Sequence, residues 1–468
     1  MPLAHDQILT VAQMREAEQA LIDAGSSVEA LMQIAGRGAA EWVWRIAAHG
    51  PVTVVCGPGN NGGDGYVLAE AIRQRGGAVA VIGALEPKTE AAKASRRLYG
   101  GAFLDPEAPC HGEVLVDCLF GSGLTRPLGQ AHVELLARLA VSHRLRVAID
   151  LPSGVASDTG ALLNEGLPRF DLTLALGAWK FAHFLMPSSA NLGEVRLVPI
   201  GVAPIEGAAQ VIARSALRAP AADSHKYRRG LLAIVGGAMP GAAVLAALAA
   251  QGSGAGYVKL LAGDGACPSP LPDLVTDHRT LPDALTDPRI AALLIGPGLG
   301  RDDAARARLA TALAAPAPLV IDADALMLVR PDQIAGRAAP AIATPHEGEL
   351  AALERAFGLA ATGPKPERAL ALARTSGMIV VAKGPDTVVA APDGRLACAG
   401  RASTWLSTAG TGDVLAGVIA SRLATGAEPF AAACEGVWLH GEAARLCPPA
   451  FTAAQLAAAV PIALVACL

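Results

Sequence analysis

Charge is scarce in this 468-residue chain, and it has no excess of basic residues. Charged residues make up 17% of the sequence, and the formal net charge at pH 7 is −4. Proteins that bind nucleic acid or an anionic membrane usually concentrate lysine and arginine on one surface, so the composition predicts neither kind of partner. Phosphate groups on a substrate must then be bound by local donors.

Paired cysteines and targeting segments are also missing. The eight cysteines include no CxxC pair, and the N-terminus has no basic, apolar signal sequence. We therefore expect a cytoplasmic protein with reduced thiols. The uncharged run 450–468 contains Thr452, Gln455 and Pro461 and lacks basic flanks, which predicts a buried terminal helix and tail instead of a membrane span.

Apolar segments are abundant, and their spacing predicts an α/β protein. Hydrophobic residues make up 52% of a chain that is longer than one hydrophobic core usually supports. Short apolar runs alternate with helical patterns, as in parallel sheets covered by helices. The pattern lapses between residues 201 and 224, so we predict two domains, 1–210 and 218–468, with no detectable repeat. The predicted strands are 52–56, 79–83, 114–118, 147–149, 172–176, 195–198, 231–235, 257–261, 292–295, 319–321, 341–344 and 378–382.

The segment 407–417 ends a loop in small residues and begins a helix with a carboxylate, Asp413. Glycines let the backbone approach a phosphate, and a helix N-terminus supplies free N–H groups with partial positive charge. A carboxylate beside phosphate is repelled unless it exchanges a proton with a reacting hydroxyl, which favours phosphate-assisted chemistry at an OH group. The alternative is an ordinary helix start capped by Thr411 or Asp413.

A second glycine cluster, 57–65, follows the apolar run 52–56 and precedes the helical pattern 66–75. Strand, glycine loop and helix is the order in which α/β folds bind nucleotides. Asn60, Asn61 and Asp64 add amide donors and oxygen acceptors to the backbone N–H groups of this loop. Such a loop could hold a phosphate, a ribose and a cation together; the alternative is a loop without a ligand.

Distinctive loops follow four strands of the second half. They are GPGLG at 296–300, DAD at 322–324, TPHEGE at 344–349 and KGPDT at 383–387. In open α/β sheets, ligands bind at the carboxyl ends of the strands. These loops should therefore converge on one site with Gly412 and Asp413.

Taken together, the motifs resemble a known family. In the first half, the loop 57–65 is joined by VDCLFGSGLTRP at 116–127 and IDLPSG at 149–154, and this set resembles the epimerase domain of the NAD(P)H-hydrate repair enzymes. The second half carries HKYRRG, GG, MPGAA, GPGLG, DAD, TPH-x-GE, KG and GTGD in order, and is similar to the dehydratase domain of the same bifunctional family. The resemblance covers about residues 9–446.

The resemblance implies a Rossmann-like three-layer α/β/α sandwich followed by a ribokinase-like α/β domain. It also implies repair of NADH and NADPH whose nicotinamide ring has been hydrated. The epimerase interconverts the R and S hydrates, and the dehydratase returns the S form to NAD(P)H while converting ADP to AMP and phosphate. A homo-oligomer would fit the family, although no interface is legible in the sequence.

In the first domain, the residues that match the family's substrate-binding motifs are Asn60, Asn61, Gly62, Gly63, Asp64, Gly121, Ser122, Gly123, Leu124, Thr125, Arg126, Pro127 and Asp150. The resemblance also implies a potassium ion on Asn61, Asp117 and Ser153. Asp150 would be the acid/base group; its alternative is a strand-end cap.

Two further side chains of this domain are open to interpretation. Lys180 could point into the same cleft or lie on the surface. Glu18 stands where the family often has aspartate, and we expect the packing of this helix on its domain to tolerate the change.

In the second domain, the resemblance assigns the nucleotide to Lys383, Gly384, Pro385, Asp386, Thr387 and Gly412, and the hydrate to Ala242, Gly298, His346 and Asp413. Asp413 would deprotonate the hydrate hydroxyl, which then attacks the terminal phosphate, and loss of phosphate restores the ring double bond. Mg²⁺ would bridge the nucleotide phosphates. His346 could instead begin a helix, and Asp322 and Asp324 could approach the metal or cap a helix.

Two other functions compete with repair. Ribokinase-like enzymes that phosphorylate vitamins share the glycine-rich anion site and its aspartate, so a small-molecule kinase is the main alternative. The fused first domain has no evident task in such a kinase. A nucleotide-binding scaffold or regulator is the non-enzymatic alternative, and the carboxylates Asp150 and Asp413 argue against it.

Overall fold

A computed structural model describes residues 6–263 and 271–468. The chain divides into two compact units, Met1–Gln210 and Val211–Leu468. Short strands and covering helices alternate in both units, so the predicted α/β class is confirmed.

The first unit is built on a parallel sheet. Along the chain, the strands up to residue 211 are β1 (Gln7–Ile8), β2 (Val52–Cys56), β3 (Val79–Gly83), β4 (Ala102–Phe103), β5 (Gly112–Cys118), β6 (His143–Ile149), β7 (Leu172–Leu176), β8 (Glu194–Val198) and β9 (Ala209–Val211), and the seven strands β2 to β8 form this sheet. The strand order is β4-β3-β2-β5-β6-β7-β8, and each neighbouring pair is parallel. β1 and β9 pair with each other in antiparallel fashion.

Helices cover both faces of this sheet. They are α1 (Val11–Asp23), α2 (Val28–Ala47), α3 (Asn60–Gln74), α4 (Glu90–Leu98) and α5 (Gln130–Ser142), with 3₁₀ turns at Phe181–His183 and Ser188–Asn191. Side chains of β5 alternate between two cores: Val114 and Val116 pack in one, and Leu115 packs in the other. Because both faces are buried, the strands read as continuous apolar runs in the sequence. The three-layer arrangement agrees with the predicted sandwich.

The second unit has a longer, mostly parallel sheet. Its strands are β10 (Leu231–Val235), β11 (Tyr257–Leu261), β12 (Val275–Asp277), β13 (Ile290–Ile295), β14 (Leu319–Ile321), β15 (Ala341–Ala343), β16 (Ile379–Ala382), β17 (Val388–Ala390) and β18 (Leu396–Cys398). The order is β18-β17-β16-β15-β14-β13-β10-β11-β12, and only the pairs β16–β17 and β17–β18 are antiparallel.

The helices of the second unit fill the connections between these strands and the C-terminal segment. They are α6 (Pro240–Gln251), α7 (Leu281–Ala284), α8 (Asp303–Ala314), α9 (Asp324–Leu328), α10 (Pro331–Ile334), α11 (Glu347–Ala356), α12 (Lys365–Ser376), α13 (Thr411–Ala424), α14 (Pro429–Leu446) and α15 (Ala453–Val465), with a 3₁₀ turn at Thr404–Leu406.

Several predicted boundaries were wrong. The glycine segment 57–65 is not all loop, because α3 begins at Asn60 and its first turns contain Gly62 and Gly63. A Cβ atom on Gly62 would lie 2.0 Å from the Gly57 carbonyl oxygen, so the small residues let this helix start fold back on the strand end. Six short strands were not predicted at all: β1, β4, β9, β12, β17 and β18.

The terminal segment forms the predicted helix, α15, but only one face of it is buried. Leu456 and Val460 are fully buried, whereas Ile462 and Val465 are 60% and 68% exposed. Within residues 6–263 and 271–468, no helix is both long enough and apolar enough to cross a membrane.

Close packing of α13 against α6 leads to a testable expectation for stability. A Cβ atom on Gly417 would lie 2.1 Å from the Ala246 carbonyl oxygen. Gly417→Ala should therefore push the two helices apart and destabilise the fold by about 1–3 kcal/mol, measured by thermal denaturation. Gly241→Ala, at the start of α6 where a Cβ meets no atom within 4 Å, is the matched control. Equal melting temperatures for the two variants would contradict this packing.

Candidate active sites

The first candidate site lies beyond the carboxyl ends of β2, β5 and β6. A cavity of about 380 Å³ opens there. Among the residues predicted for substrate, those that line it are Asn60, Asn61, Asp64, Gly121, Ser122, Gly123, Leu124 and Asp150. Gly62, Gly63, Thr125, Arg126 and Pro127 are not part of its wall. For Gly63 the reason is packing, since a Cβ there would lie 2.5 Å from the side chain of Met32.

Asp150 occupies a strained turn at the end of β6. Its φ is +67°, and Leu151 N–H donates to the Ile149 carbonyl oxygen across it at 2.9 Å. This is a γ-turn of the rare left-handed kind, which is unfavourable for a residue with a side chain. The turn directs the Asp150 carboxylate into the cavity wall, where Oδ2 accepts from Ser122 N–H at 3.0 Å.

Lys180 pairs with Asp150 inside the first unit, and its surface alternative was wrong. The lysine is 1% exposed, and Nζ donates to Asp150 Oδ1 at 2.5 Å and to the Leu176 carbonyl oxygen at 2.6 Å. Burial by itself would raise the pKa of Asp150, but the charge and hydrogen bond of Lys180 outweigh it and hold that pKa below its usual value. The cavity therefore contains an ionised carboxylate beside an ammonium group.

Two more carboxyl groups line the same cavity. Burial raises the pKa of Glu18, and burial together with the charges of Asp150 and Glu18 raises the pKa of Asp64 well above its usual range. The sequence interpretation gave Glu18 no place in the site, whereas the structure places it in the cavity wall. Val11, Met14, Arg15 and Glu18 all line the cavity, and their i, i+3, i+4, i+7 spacing places them on one face of α1. Two charged residues on an otherwise apolar stripe are the sequence signal for this role.

The residues predicted to hold potassium occupy neighbouring strand ends. Asp117 Oδ1 accepts from Ser153 Oγ at 2.7 Å, and Oδ2 accepts from Ser153 N–H at 2.9 Å. Asp117 is fully buried, and no lysine or arginine of the described residues forms an ion pair with it. Burial raises the pKa of this carboxyl against the hydrogen bonds from Ser153. A nearby cation would offset the cost of the buried charge.

The orientation of the Asn61 amide also bears on whether a cation fits this site. The two terminal atoms of its amide lie 3.3 Å from the Ile149 carbonyl oxygen and 3.3 Å from Gly121 N. With the amide nitrogen toward Ile149, both contacts are hydrogen bonds. With the oxygen toward Ile149, two acceptor oxygens face each other, and a cation or a water molecule is needed between them. The oxygen donors available here fit a hard monovalent ion.

The second candidate site surrounds the start of α13. Gly410 precedes the helix with φ +91°, and no side chain caps the helix N-terminus. The Thr411 hydroxyl instead donates to the Leu406 and Thr408 carbonyl oxygens at 2.8 and 2.9 Å. The alternative of an ordinary helix start capped by Thr411 or Asp413 was therefore wrong. The free N–H groups of this helix start remain available to an anion.

Lys383 lies next to this helix start. Its Nζ donates to Asp322 Oδ1 at 2.7 Å, and Thr344 Oγ1 donates to the same oxygen at 2.6 Å. A Cβ atom on Gly412 would lie 3.4 Å from the Lys383 amine. Burial opposes the charge on Lys383, but Asp322, Glu349 and Asp413 outweigh it and raise the Lys383 pKa. A cationic amine therefore faces the backbone that would bind phosphate.

The pKa of Asp413 is shifted in the opposite direction from that of Asp150. Burial, followed by repulsion from Asp322, raises its pKa to about 6, against partial relief from Lys383. Asp324 and Glu349 add to the repulsion. A carboxylate with a pKa near the working pH suits a general base.

The two aspartates of the DAD motif have separate partners. Asp322 is paired with Lys383, whereas Asp324 accepts from Gly300 N–H at 3.0 Å and from Arg301 Nε at 2.7 Å. Asp324 therefore fixes the GPGLG loop. Within the described residues, no group of three or more histidine, cysteine or acidic side chains could hold a metal ion on its own. Mg²⁺ commonly binds through substrate phosphates and only one or two carboxylates, so this site fits a metal that arrives with its nucleotide.

The residues predicted to line the hydrate pocket occupy two loop regions. Gly298, at φ +63°, accepts from Met239 N–H at 2.9 Å, which brings the GPGLG loop against the start of α6 where Ala242 lies. His346 caps α11: its Nδ1 accepts from Gly348 N–H at 3.0 Å, and Glu349 Oε2 accepts from His346 N–H at 2.9 Å. The structure thus shows the helix-start role of His346, and its contact with a hydrate remains a prediction.

In the predicted nucleotide segment 383–387, the backbone turns back on itself. Thr387 Oγ1 donates to the Gly384 carbonyl oxygen at 2.8 Å and accepts from Gly384 N–H at 3.2 Å. Lys365, at the start of α12, pairs with Asp386. A Cβ atom on Gly384 would lie 2.7 Å from the Lys365 amine. Lys365 was missed because no motif marks it; only the fold brings it to residues 383–387.

Comparisons with known proteins identify the family of both halves of the chain. A family described as YjeF-related protein N-terminus matches residues 28–182, and the NAD(P)H-hydrate dehydratase family matches residues 232–461. The bifunctional NAD(P)H-hydrate repair enzyme Nnr of Gloeobacter violaceus is 34% identical over an alignment of 486 positions, which covers 93% of this chain and 92% of the relative. This chain belongs to the family of bifunctional NAD(P)H-hydrate repair enzymes. The predicted family is confirmed.

A second curated relative gives the same result, and one solved structure is similar to part of the chain. The Nnr enzyme of Salinibacter ruber is 34% identical over an alignment of 501 positions, which covers 94% of this chain and 91% of the relative. The crystal structure of the ADP/ATP-dependent NAD(P)H-hydrate dehydratase of Bacillus subtilis, co-crystallised with ATP and Mg²⁺, is 29% identical, covers 55% of this chain and 96% of its own, and has a TM-score of 0.49.

The raised pKa of Asp413 predicts a pH-dependent gain in stability for Asp413→Asn. Between its ordinary value of 3.8 and about 6, the folded chain retains a proton that the unfolded chain releases. The repulsion is therefore fully present above pH 6 and absent below pH 4. We expect Asp413→Asn to stabilise the protein at pH 8 by about 1–2 kcal/mol, allowing for solvent screening, and to have no such effect at pH 4.

Thermal denaturation at both pH values measures this gain. The exposed carboxylate of Asp332 on α10 provides the control variant, Asp332→Asn, which should show no comparable gain at pH 8. A gain for Asp413→Asn that is the same at pH 4 and pH 8 would show that charge repulsion is not its cause.

Proposed function

We propose that this protein repairs hydrated NADH and NADPH in two steps. Residues 1–210 interconvert the R and S hydrates, and residues 218–468 dehydrate the S form at the expense of ADP. The observation that carries the proposal is a division of carboxylates: Asp150 is held ionised by Lys180 in one unit, and Asp413 has a raised pKa beside an uncapped helix start in the other. Each arrangement suits a different reaction.

In the first unit, Asp150 would accept the proton of the ring hydroxyl. The carbon–nitrogen bond of the hydrated ring then opens, with its electron pair moving to nitrogen, and rotation exposes the other face of the resulting carbonyl. Ring closure and return of the proton give the other epimer, so atoms and charge balance. Lys180 supports this step because it keeps Asp150 ionised in a buried cavity.

We assign the hydrated dinucleotide to the cavity wall and to the segments that border it. Asn60, Asn61, Asp64, Gly121 and Ser122 lie in the wall with Asp150, and Thr125 to Pro127 extend from its rim. The amide and backbone N–H groups supply hydrogen-bond donors without a basic surface.

Potassium belongs to the proposal for the first unit, with Asn61, Asp117 and Ser153 as its ligands. When bound, the ion would supply positive charge beside the buried Asp117 carboxylate. Asp117 and Ser153 would then hold the strand ends of β5 and β6 together behind Asp150.

In the second unit, Asp413 would take the proton from the hydroxyl of the S hydrate. The hydroxyl oxygen then attacks the terminal phosphate of ADP, and AMP leaves. Phosphate then departs from the ring carbon with the electron pair of its C–O bond. The neighbouring ring carbon loses a proton to the departing phosphate or to water, and the electron pair of that C–H bond forms the ring double bond of NAD(P)H. The N–H groups around Gly412 and the Lys383 amine would stabilise charge on the transferred phosphoryl group.

We assign the nucleotide to residues 383–387 and Gly412, and the hydrate to Ala242, Gly298, His346 and Asp413. Mg²⁺ would neutralise the phosphates of the bound nucleotide. The negative charges of Asp322, Asp324 and Glu349, which raise the Asp413 pKa, supply a field that attracts such a cation.

A cytoplasmic location and an assembly of several copies complete the proposal. The cysteines within the described residues are free thiols, which suits a reducing compartment. Light scattering on the purified chain measures the number of copies directly.

The two-site proposal predicts reciprocal loss of activity. Asp413→Ala should abolish dehydration and spare epimerisation, and Asp150→Ala should do the reverse, because each removes the reacting carboxylate of one unit. The assay is recovery of reduced-nicotinamide absorbance from mixed R and S NADH hydrate with Mg²⁺ and ADP, then ATP. The Asp150→Ala chain should stop once the S fraction is used.

Three outcomes of this assay would contradict the proposal. Equal loss of both activities in either variant would exclude two independent sites. Recovery limited to the S fraction in the parent chain would show that the first unit does not epimerise. Absence of recovery with either nucleotide would favour the small-molecule kinase.

The potassium assignment has a readout that is independent of activity. Since a bound ion stabilises the folded state, the melting temperature should be higher in potassium chloride than in tetramethylammonium chloride of equal ionic strength. The gain reaches about 1.4 kcal/mol at a tenfold excess over Kd. Asp117→Asn should lose this difference, whereas Asp332→Asn should keep it. The same difference in all three proteins would exclude a site at Asp117.

A further inference from the structure

His183 ends the 3₁₀ turn Phe181–His183, behind the cavity of the first unit, and it was assigned no role by the sequence. Its ring is buried and is not part of the cavity wall. Both ring nitrogens nevertheless contact the backbones of the two paired groups. Lys180 N–H donates to Nδ1 at 2.9 Å, and Nε2 lies 2.8 Å from the Asp150 carbonyl oxygen.

These two contacts fix the tautomer of the ring. A backbone N–H can only donate, so Nδ1 must carry the lone pair. A carbonyl oxygen can only accept, so Nε2 must carry the proton. The neutral Nε2–H form satisfies both partners, and an imidazolium would place a second proton against Lys180 N–H.

The surroundings of His183 keep the ring neutral and in place. Burial and the charge of Lys180 lower its pKa to about 4, although Asp150 acts in the opposite direction. Trp179 packs edge-to-face against the ring, with centroids 5.9 Å apart. His183 is therefore a fixed neutral group across the physiological pH range.

The partner of Nε2 is the residue that needs support. Asp150 has φ +67°, and only hydrogen bonds from the surrounding structure can hold a side-chain residue in such a turn. The neighbouring strand β7 ends in the same kind of turn, with Ala178 N–H donating to the Leu176 carbonyl oxygen at 2.9 Å, but its central residue is Gly177 at φ +75°. Glycine adopts this conformation without strain.

We propose that His183 is a positioning residue of the first active site. One neutral ring holds the Asp150 carbonyl in its left-handed turn and ties it to the backbone of Lys180. The carboxylate and the amine consequently meet at the cavity wall in a fixed geometry. The activity readout of this inference rests on the proposed epimerase function.

Variants of the full-length chain test the proposal through epimerisation alone. The R-to-S rate is followed by chromatography without nucleotide, so that dehydration does not contribute. His183→Leu removes both ring contacts, and we expect kcat to fall roughly 10–100-fold with little change in KM, because misplacement of a reacting group by about 1 Å has effects of this size. His183→Gln can still reach the Asp150 carbonyl with an N–H donor and should recover most of the rate.

The dehydration rate of each variant, measured on S hydrate with ADP, controls for the amount of intact chain and should not change. Thermal denaturation of each variant is the folding control for the first unit. A His183→Leu rate within twofold of the parent would overturn the proposal. So would equal rates for His183→Leu and His183→Gln. If His183→Leu does not fold, His183→Asn replaces it; its shorter side chain keeps the acceptor near Lys180 but not the donor to Asp150, so equal rates for the Asn and Gln variants would again overturn the proposal.

The tautomer is a second readout that does not depend on epimerisation. Nitrogen NMR of the histidine-labelled chain, compared with His183→Gln to identify its signals among the ten histidines, should show a neutral Nε2–H ring from pH 8 to pH 5. A proton on Nδ1, or an imidazolium at pH 6, would overturn the proposal. A parent chain that does not epimerise would refute the proposed function, while the NMR result would still decide whether the ring bridges Asp150 and Lys180.

Discussion

The cost of removing a charge from water is the constraint on which both sites depend. A buried carboxylate is tolerated only with a cation, hydrogen-bond donors or a proton. In the first unit, Asp150 is stabilised by the buried amine of Lys180. In the second unit, little offsets the cost of burying the Asp413 charge. Lys383 is paired with Asp322, and the neighbouring carboxylates repel the Asp413 carboxylate. The same chemical group is therefore a stable anion in one cavity and a ready proton acceptor in the other.

The parallel sheets determine where these buried charges and their partners lie. The carboxyl ends of parallel strands all lie at the same edge of the sheet, so the loops that follow them come together there even when they are distant in sequence. Asp117 and Ser153 follow different strands, yet they exchange two hydrogen bonds. Lys383, Asp322 and Thr344 come from three successive strand ends and share one carboxylate oxygen. The sheet thus brings each buried carboxylate next to the side chains that stabilise its charge.

This dependence explains how much the sequence could predict. Buried parallel strands are continuous apolar runs, so β2, β7 and β10 were predicted to the residue, and the loops that follow strands identified most of the site. The hairpin of β17 and β18 was missed because its two short strands follow each other without a helix, outside the alternation of strand and helix that identified the others. The start of α3 was misplaced because its glycines were interpreted as a loop. Glycine has low helix propensity, but here tertiary packing determines the conformation.

Side-chain partners were the least predictable part. Lys180 lies 30 positions from Asp150, and nothing in the local sequence distinguishes it from a surface lysine. His183 and Lys365 are similar cases, since their contacts arise only when separate segments pack together. The approximate location of each site was thus legible in the sequence, whereas the electrostatic setting of its reacting groups required the folded chain.

The unequal turns at the ends of β6 and β7 have a consequence for how this enzyme can change in evolution. Replacing Asp150 by glycine would relieve a backbone strain of about 1–2 kcal/mol, which by itself favours loss of the carboxylate. The same change would leave the Lys180 amine buried without its counter-ion, at a cost of about 3–5 kcal/mol. Stability therefore favours the same residue as the proposed catalytic role, and a lineage that abandoned epimerisation would have to lose the aspartate and the lysine together.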